Sequence, residues 1–111
     1  MMKIWLDDER DPKDPFIQKE FGASSDMLWV KTAPEAIAYL STGKVTYISL
    51  DHDLCANATG YDVATWIEAQ AFAGELPKLN WDVHTQNSVG YQKIVTALAN
   101  ADKYWEDQNG K

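Results

Sequence analysis

The sequence predicts one α/β domain spanning residues 1–111, built on a short, mostly parallel sheet with strand order 2-1-3-4. Three observations predict it. Strand-like runs alternate with helical runs along the whole chain, the pattern of parallel strands joined by right-handed crossovers. Val45–Leu50 is a nearly continuous β-favouring run, as a central strand covered on both faces needs. Three of the strand-like runs stop abruptly in polar groups: Asp7-Asp8, Asp51-His52-Asp53 and His84-Thr85-Gln86-Asn87. In open parallel sheets, ligands sit beyond the carboxyl ends of the strands, so these endings are expected to converge on one rim.

The first strand is Lys3 to Leu6. Residues 9–26 hold two Pro, one Gly and many charges, so they read as a long loop with a turn of helix near Phe16 to Phe21. A loop that long in a small domain is often functional. Met27 to Lys31 is the second strand. Thr32 to Ser41 is a helix: Thr32 and Glu35 have capping-box spacing, Pro34 is tolerable in the first turn, and Gly43 closes the far end. Val45 to Leu50 follows as the third strand. Thr59 to Ala73 is the next helix, with Val63, Trp66, Ile67 and Ala71 on one face and Gly74 as its stop. Leu79, Trp81 and Val83 alternate with Asn80 and Asp82, so Lys78 to His84 is the fourth strand. Asn87 or Ser88 caps a final helix, with Val89, Ile94, Leu98, Ala101 and Trp105 at helical spacing and a polar, frayed tail from Asp107. Trp66 and Trp81 are assigned to the core, as is Trp105 by default, and Trp5 and Trp29 are expected to pack together across neighbouring strands. No internal repeat is evident.

The formal net charge is −7, opposite in sign to what a phosphate-backbone binder needs, so nonspecific DNA binding is excluded. The same charge suits a partner protein with a basic surface. No apolar run reaches the length of a membrane span, and Asp7 and Asp8 interrupt any signal-peptide apolar region. Cys55 is the single cysteine, which precludes an intrachain disulfide and fits a cytoplasmic location. With no activating His evident from spacing, Cys55 reads as an idle thiol.

Gathered at one rim, Asp7, Asp8, Asp51 and Asp53 would repel one another unless some are protonated or a cation neutralises them. Hard carboxylate oxygens suit Mg²⁺, Mn²⁺ or Ca²⁺ better than zinc. Each Asp alone is an ordinary loop residue, and the joint placement carries the expectation. The two histidines, His52 and His84, both fall at strand ends beside the acids. Either can be a general acid or base, a phosphate donor or a metal ligand, and a backbone-bonded structural histidine is the plainer alternative for each. Thr85 is a candidate hydroxyl donor to a phosphate oxygen. Asn87 is either a substrate contact or a helix cap. Thr59 and Gly60 open a helix toward the same rim, where free amides favour an anion, although the motif is short and a plain capped start is the simpler reading.

The runs Lys3-Ile-Trp-Leu-Asp-Asp-Glu-Arg10, Ile48-Ser-Leu-Asp-His-Asp-Leu54, Thr59-Gly-Tyr-Asp-Val63 with Trp66-Ile67-Glu68, and Val83-His-Thr-Gln-Asn87 with Gly90 resemble the cyclic-phosphate-processing receiver domains. The likeness covers nearly the whole chain, in order. It implies a receiver-like three-layer α/β/α sandwich. It also implies Mg²⁺ or Mn²⁺ held by the positions of Asp7, Asp8 and Asp51, with the backbone carbonyl of Asp53 as a further ligand. Asp51 matches the acceptor carboxylate of ordinary receivers, and Thr85 matches their hydroxyl residue. The cyclic-phosphate variant adds two histidines, here His52 and His84, and its proposed chemistry is on cyclic or terminal phosphates of nucleotides or RNA. The chain departs from ordinary receivers in lacking a fifth strand and the Lys that follows it, and in a proline-broken first helical segment.

These readings imply a metal-dependent phosphoesterase acting on a phosphate-containing small molecule or an RNA end, with Asp51, His52, His84 and Thr85 as catalytic groups. The alternative is a non-catalytic acidic binding module, a small regulator or inhibitor of a basic protein surface. Phosphoacceptor signalling ranks last, because the fifth strand and Lys are missing.

Overall fold

The computed structural model describes residues 2–54 and 58–109. Its elements run β1 (Met2–Leu6), α1 (Pro15–Phe21), β2 (Leu28–Val30), α2 (Ala33–Leu40), β3 (Val45–Leu50), α3 (Gly60–Ala73), β4 (Asn80–Val83) and α4 (Ser88–Asn109). The strands form one sheet of order β2-β1-β3-β4, every neighbouring pair parallel, as the alternation of strand and helix predicts. No fifth strand is present among the described residues. The expectation for Cys55 lies outside them.

Side chains alternate across a strand, and the two faces of this sheet are covered unequally. Ile4, Leu6, Ile48 and Leu50 point to one face and are fully buried under α2, α3 and α4 through Ala36, Leu40, Val63, Ile67, Ile94 and Leu98. Burying each of these aliphatic strand side chains contributes about 1.5–3 kcal/mol. The opposite face carries Trp5 in a smaller cluster with Ile17, Ala23 and Met27, and Trp29 packs against it. The short helix α1 covers this second face, which completes the three layers.

Local chemistry explains where the elements differ from expectation. The segment near Phe16 to Phe21 is not a single turn but a seven-residue helix. Asp14 Oδ1 accepts from the Phe16 amide at 2.9 Å, Pro15 opens the helix, and Gly22 ends it with a left-handed φ of 78°. The final helix does not fray at Asp107 but runs to Asn109, and Gln108 Nε2 donates to the Ala71 carbonyl at 2.8 Å, tying its last turn to α3. Thr32 caps α2 as predicted, with the Glu35 amide donating to its hydroxyl. Trp105 is buried and donates to the Leu76 carbonyl, whereas Trp66 and Trp81 are half-buried at the core margin. Trp81 stays at the edge because its indole N–H reaches the Asp102 carboxylate at 3.1 Å. Val89 is 64% exposed, so the apolar stripe of α4 begins only after its first turn.

Candidate metal and phosphate site

The parallel ladder continues one residue beyond the strands. The amide of Asp7 donates to the Val30 carbonyl, that of Asp51 to Leu6 and that of His84 to Leu50, each at 3.0 Å. Asp7, Asp51 and His84 are therefore aligned across the carboxyl edge, side by side in strand order. Alternation also places them on one face: Trp5, Ser49 and Asp82 stand two residues before them on the α1 side of the sheet.

Asp7 is completely buried and fully bonded. Its Oδ1 accepts from the Glu9 and Arg10 amides at 2.8 and 2.9 Å. Its Oδ2 accepts from His84 Nε2 at 3.0 Å and from Arg10 Nη1 at 3.1 Å. Burial alone would raise the Asp7 carboxyl, but the bonds from His84 and from Arg10 and Glu9 outweigh it and hold the pKa at about 2. With the proton on Nε2, His84 Nδ1 accepts from the Ser49 hydroxyl, 2.8 Å away. The His84 ring stacks on Trp5 at a centroid distance of 3.7 Å and an interplanar angle of 9°. Both nitrogens and one ring face are thus engaged inside the protein. The expectation that His84 carries a proton at the rim does not fit this geometry: its ring lies beneath the acids and orients Asp7.

Asp51 sits beside Asp7, and its pKa moves the other way. Burial raises it, a bond from Thr85 opposes the rise, and the Asp7 charge adds to it. Carboxylate oxygens of Asp7, Asp8 and Asp51 lie within 4.8 Å of one another. This is a hard, all-oxygen donor set, and it fits Mg²⁺, Mn²⁺ or Ca²⁺ rather than zinc. The guanidinium of Arg10 stands 3.1 Å from Asp7 and 3.5 Å from Asp51. A cavity of about 240 Å³ opens above them, lined by Asp8, Arg10, Asp51, Asp53, Thr85 and Gln86 among others.

The remaining predicted residues divide. The Asp53 side chain faces the rim rather than the triad: it accepts from His52 Nδ1 at 2.9 Å and from Asn87 Nδ2 at 3.3 Å, and the His52 bond lowers its pKa. Asn87 also accepts from the Gly90 amide at 2.9 Å, so it caps α4 while it holds Asp53. The His52 ring fits against Gly90, where an added Cβ would come within 2.3 Å of it. Thr59 and Gly60 are not brought to the cavity. The Thr59 amide donates to Asp62 in a capping box, and the Gly60 amide donates to the His52 carbonyl at 3.0 Å. Gly60 is glycine because a Cβ there would stand 1.9 Å from the Asp51 carbonyl oxygen. Both amides are consumed in building the site, which leaves neither for an anion.

Sequence reasoning gave no role to Arg10, Ser49 or Gln86. Arg10 follows Asp7 by three residues, the spacing that lets one turn fold it back, and Ser49 shares strand parity with Asp51. Those were the available signals.

A parallel sheet flanked by helices, with an aspartate triad on its carboxyl edge beside a threonine, defines a receiver-like domain. A family model described as the cyclic-phosphate processing receiver domain matches residues 2–100. The chain belongs to that family. No curated protein and no solved structure matches it.

Proposed function

We propose that this domain is a divalent-metal-dependent phosphoesterase acting on a cyclic or terminal phosphate of a nucleotide or RNA end. The observation that carries the reading is the convergence of three carboxylates from two strand ends within 4.8 Å beneath a cavity that Thr85 and Gln86 also line. Asp7, Asp8 and Asp51 would hold Mg²⁺ or Mn²⁺, with the Asp53 carbonyl available as a further oxygen. A metal there supplies Lewis-acid polarisation of a phosphoryl oxygen. The Thr85 hydroxyl, which lines the cavity, would donate to a phosphate oxygen. Asp51 either attacks phosphorus or positions the attacking water. His52, 18% exposed in its side chain and oriented through Nδ1 by Asp53, is the histidine at the rim and serves as proton carrier to the leaving oxygen. Hydrolysis of a cyclic diester then adds one water, breaks one P–O bond and returns the proton to the freed hydroxyl.

The direct test is a screen of nucleoside 2′,3′-cyclic phosphates and terminal phosphomonoesters with Mg²⁺ and Mn²⁺, wild type against Asp51→Ala. Metal-dependent turnover that Asp51→Ala abolishes supports the reading. Metal binding without turnover on any of these substrates shifts it to the acidic binding module.

A further inference from the structure

We propose that Arg10 is a tethered counter-ion: it occupies the cation position of the acid triad, yields it to the metal, and then turns to the phosphoryl group of the ligand. The proposal deepens the metal-site reading above and rests on it. Arg10 Nη1 stands 3.1 Å from Asp7 Oδ2 and 3.5 Å from Asp51 Oδ2, so one nitrogen bridges two of the three carboxylates. A Mg²⁺ ion bound at about 2.0–2.1 Å from the same oxygens needs that space, and a guanidinium and a divalent ion that close together repel.

The backbone of Arg10 is held by bonds that do not involve its guanidinium. Its amide donates to Asp7 Oδ1 and its carbonyl accepts from Trp5 Nε1 at 2.9 Å. The side chain is 23% exposed, lines the cavity, and lies with its guanidinium carbon 4.4 Å from the Phe21 ring centroid. The Phe21 ring thus gives the guanidinium a contact that does not depend on the carboxylates. Arg10 is the basic side chain among the described residues lining this cavity, and its planar fork matches two phosphate oxygens. Metal and phosphate binding are then coupled through one side chain: the metal frees Arg10, and the phosphate keeps it away.

The test is calorimetric titration of Mg²⁺ into wild type, Arg10→Gln and Arg10→Lys, each with and without inorganic phosphate, after circular dichroism and melting have established folding. Mg²⁺ alone is expected to bind Arg10→Gln about tenfold tighter than wild type, within the usual range of site–site coupling. Inorganic phosphate is expected to tighten Mg²⁺ binding more in wild type than in Arg10→Gln. Arg10→Lys keeps a cation at the site and is expected to fall between the two, which carries the test if the Gln variant does not fold. Equal or weaker Mg²⁺ affinity in Arg10→Gln, or equal phosphate enhancement in both proteins, overturns the proposal while the metal site stands. Absence of Mg²⁺ binding in wild type and variants alike overturns the metal-site reading, and this proposal with it.

Discussion

The two histidines stand at neighbouring strand ends in opposite surroundings. His84 lies in the base of the site, 2% exposed in its side chain, stacked on Trp5 and bonded at both nitrogens to Asp7 and Ser49. His52 lies at the rim, held on one side by Asp53 and Asn87 and against Gly90. Among the described residues no buried side-chain polar atom lacks a partner. The rim is partly open. The contrast separates two tasks that a count of rim histidines would merge. A fully bonded buried ring holds its carboxylate partner in place, and a partly covered ring held at one nitrogen suits the proton-carrier role proposed for His52.

The largest expected effect on folding is at the base. His84→Ala removes the partner of a buried carboxylate and the ring stacked on Trp5. Losing a hydrogen bond to a buried charged group typically costs about 1.5–3 kcal/mol. Urea unfolding is expected to show a loss of that size, together with weaker metal binding, because Asp7 loses the group that orients it. A loss below about 1 kcal/mol, the value of an exposed pair, would falsify the description of His84 as part of the buried base.

The next effect concerns the metal. Saturating Mg²⁺ or Mn²⁺ at about 100 times Kd is expected to stabilise the fold by roughly 2.7 kcal/mol. Asp51→Ala should lose most of that increment in a thermal scan. An equal metal response in both proteins would place the ion away from the triad.

Within the triad, Asp7 and Asp51 are expected to respond to pH with opposite signs. The Asp7 pKa is lowered from 3.8 to about 2 on folding, so its contribution is complete above 3.8 and is lost as pH falls through about 2. That shift corresponds to about 2 kcal/mol. The Asp51 pKa is raised, so the contribution from its protonated form is present below 3.8 and is lost as pH rises through the folded value. In chelator at neutral pH, Asp51→Asn should therefore melt higher than wild type and Asp7→Asn lower. Shifts of the same sign in both variants would contradict the division.

Much of this architecture was readable in the residues, and the part that was not has physical causes. The strand order follows from strand–helix alternation, and the rim from three polar strand endings. Parity alone puts Trp5, Ser49, Asp7, Asp51 and His84 on one face, but it does not say which ring nitrogen meets which partner. That depends on Cβ spacing and rotamers set by packing under α1. The helical content of residues 15–21 is masked in the sequence because Pro15 reads as a break, when after a capping Asp14 it opens a helix. Thr59 and Gly60 looked available for an anion because the sequence does not show that the Gly60 amide meets the His52 carbonyl. Arg10 escaped notice because a single basic residue among many surface charges carries no periodic signal; only the folded turn brings it back onto Asp7.

The smallest expected effect on folding is at His52, and there the two histidines should separate most clearly. Its ring makes one short side-chain bond, to a largely exposed Asp53 carboxylate, and exposed pairs contribute about 0–1 kcal/mol. His52→Ala, which loses that bond and the packing of the ring against Gly90, should therefore cost less stability than His84→Ala. The same substitution removes the proton carrier proposed for the leaving oxygen, and losing a general acid or base typically lowers the rate about 10²- to 10⁴-fold. Turnover of a cyclic phosphate, measured at saturating metal, should fall over that range while metal affinity stays near wild type, since His52 bonds to none of the triad carboxylates. His84→Ala is expected to show the reverse order, with folding and metal affinity falling first and turnover falling through them. Unchanged turnover in folded His52→Ala would remove it from proton transfer and leave the Asp51 carboxylate or bound water as the remaining route at the rim.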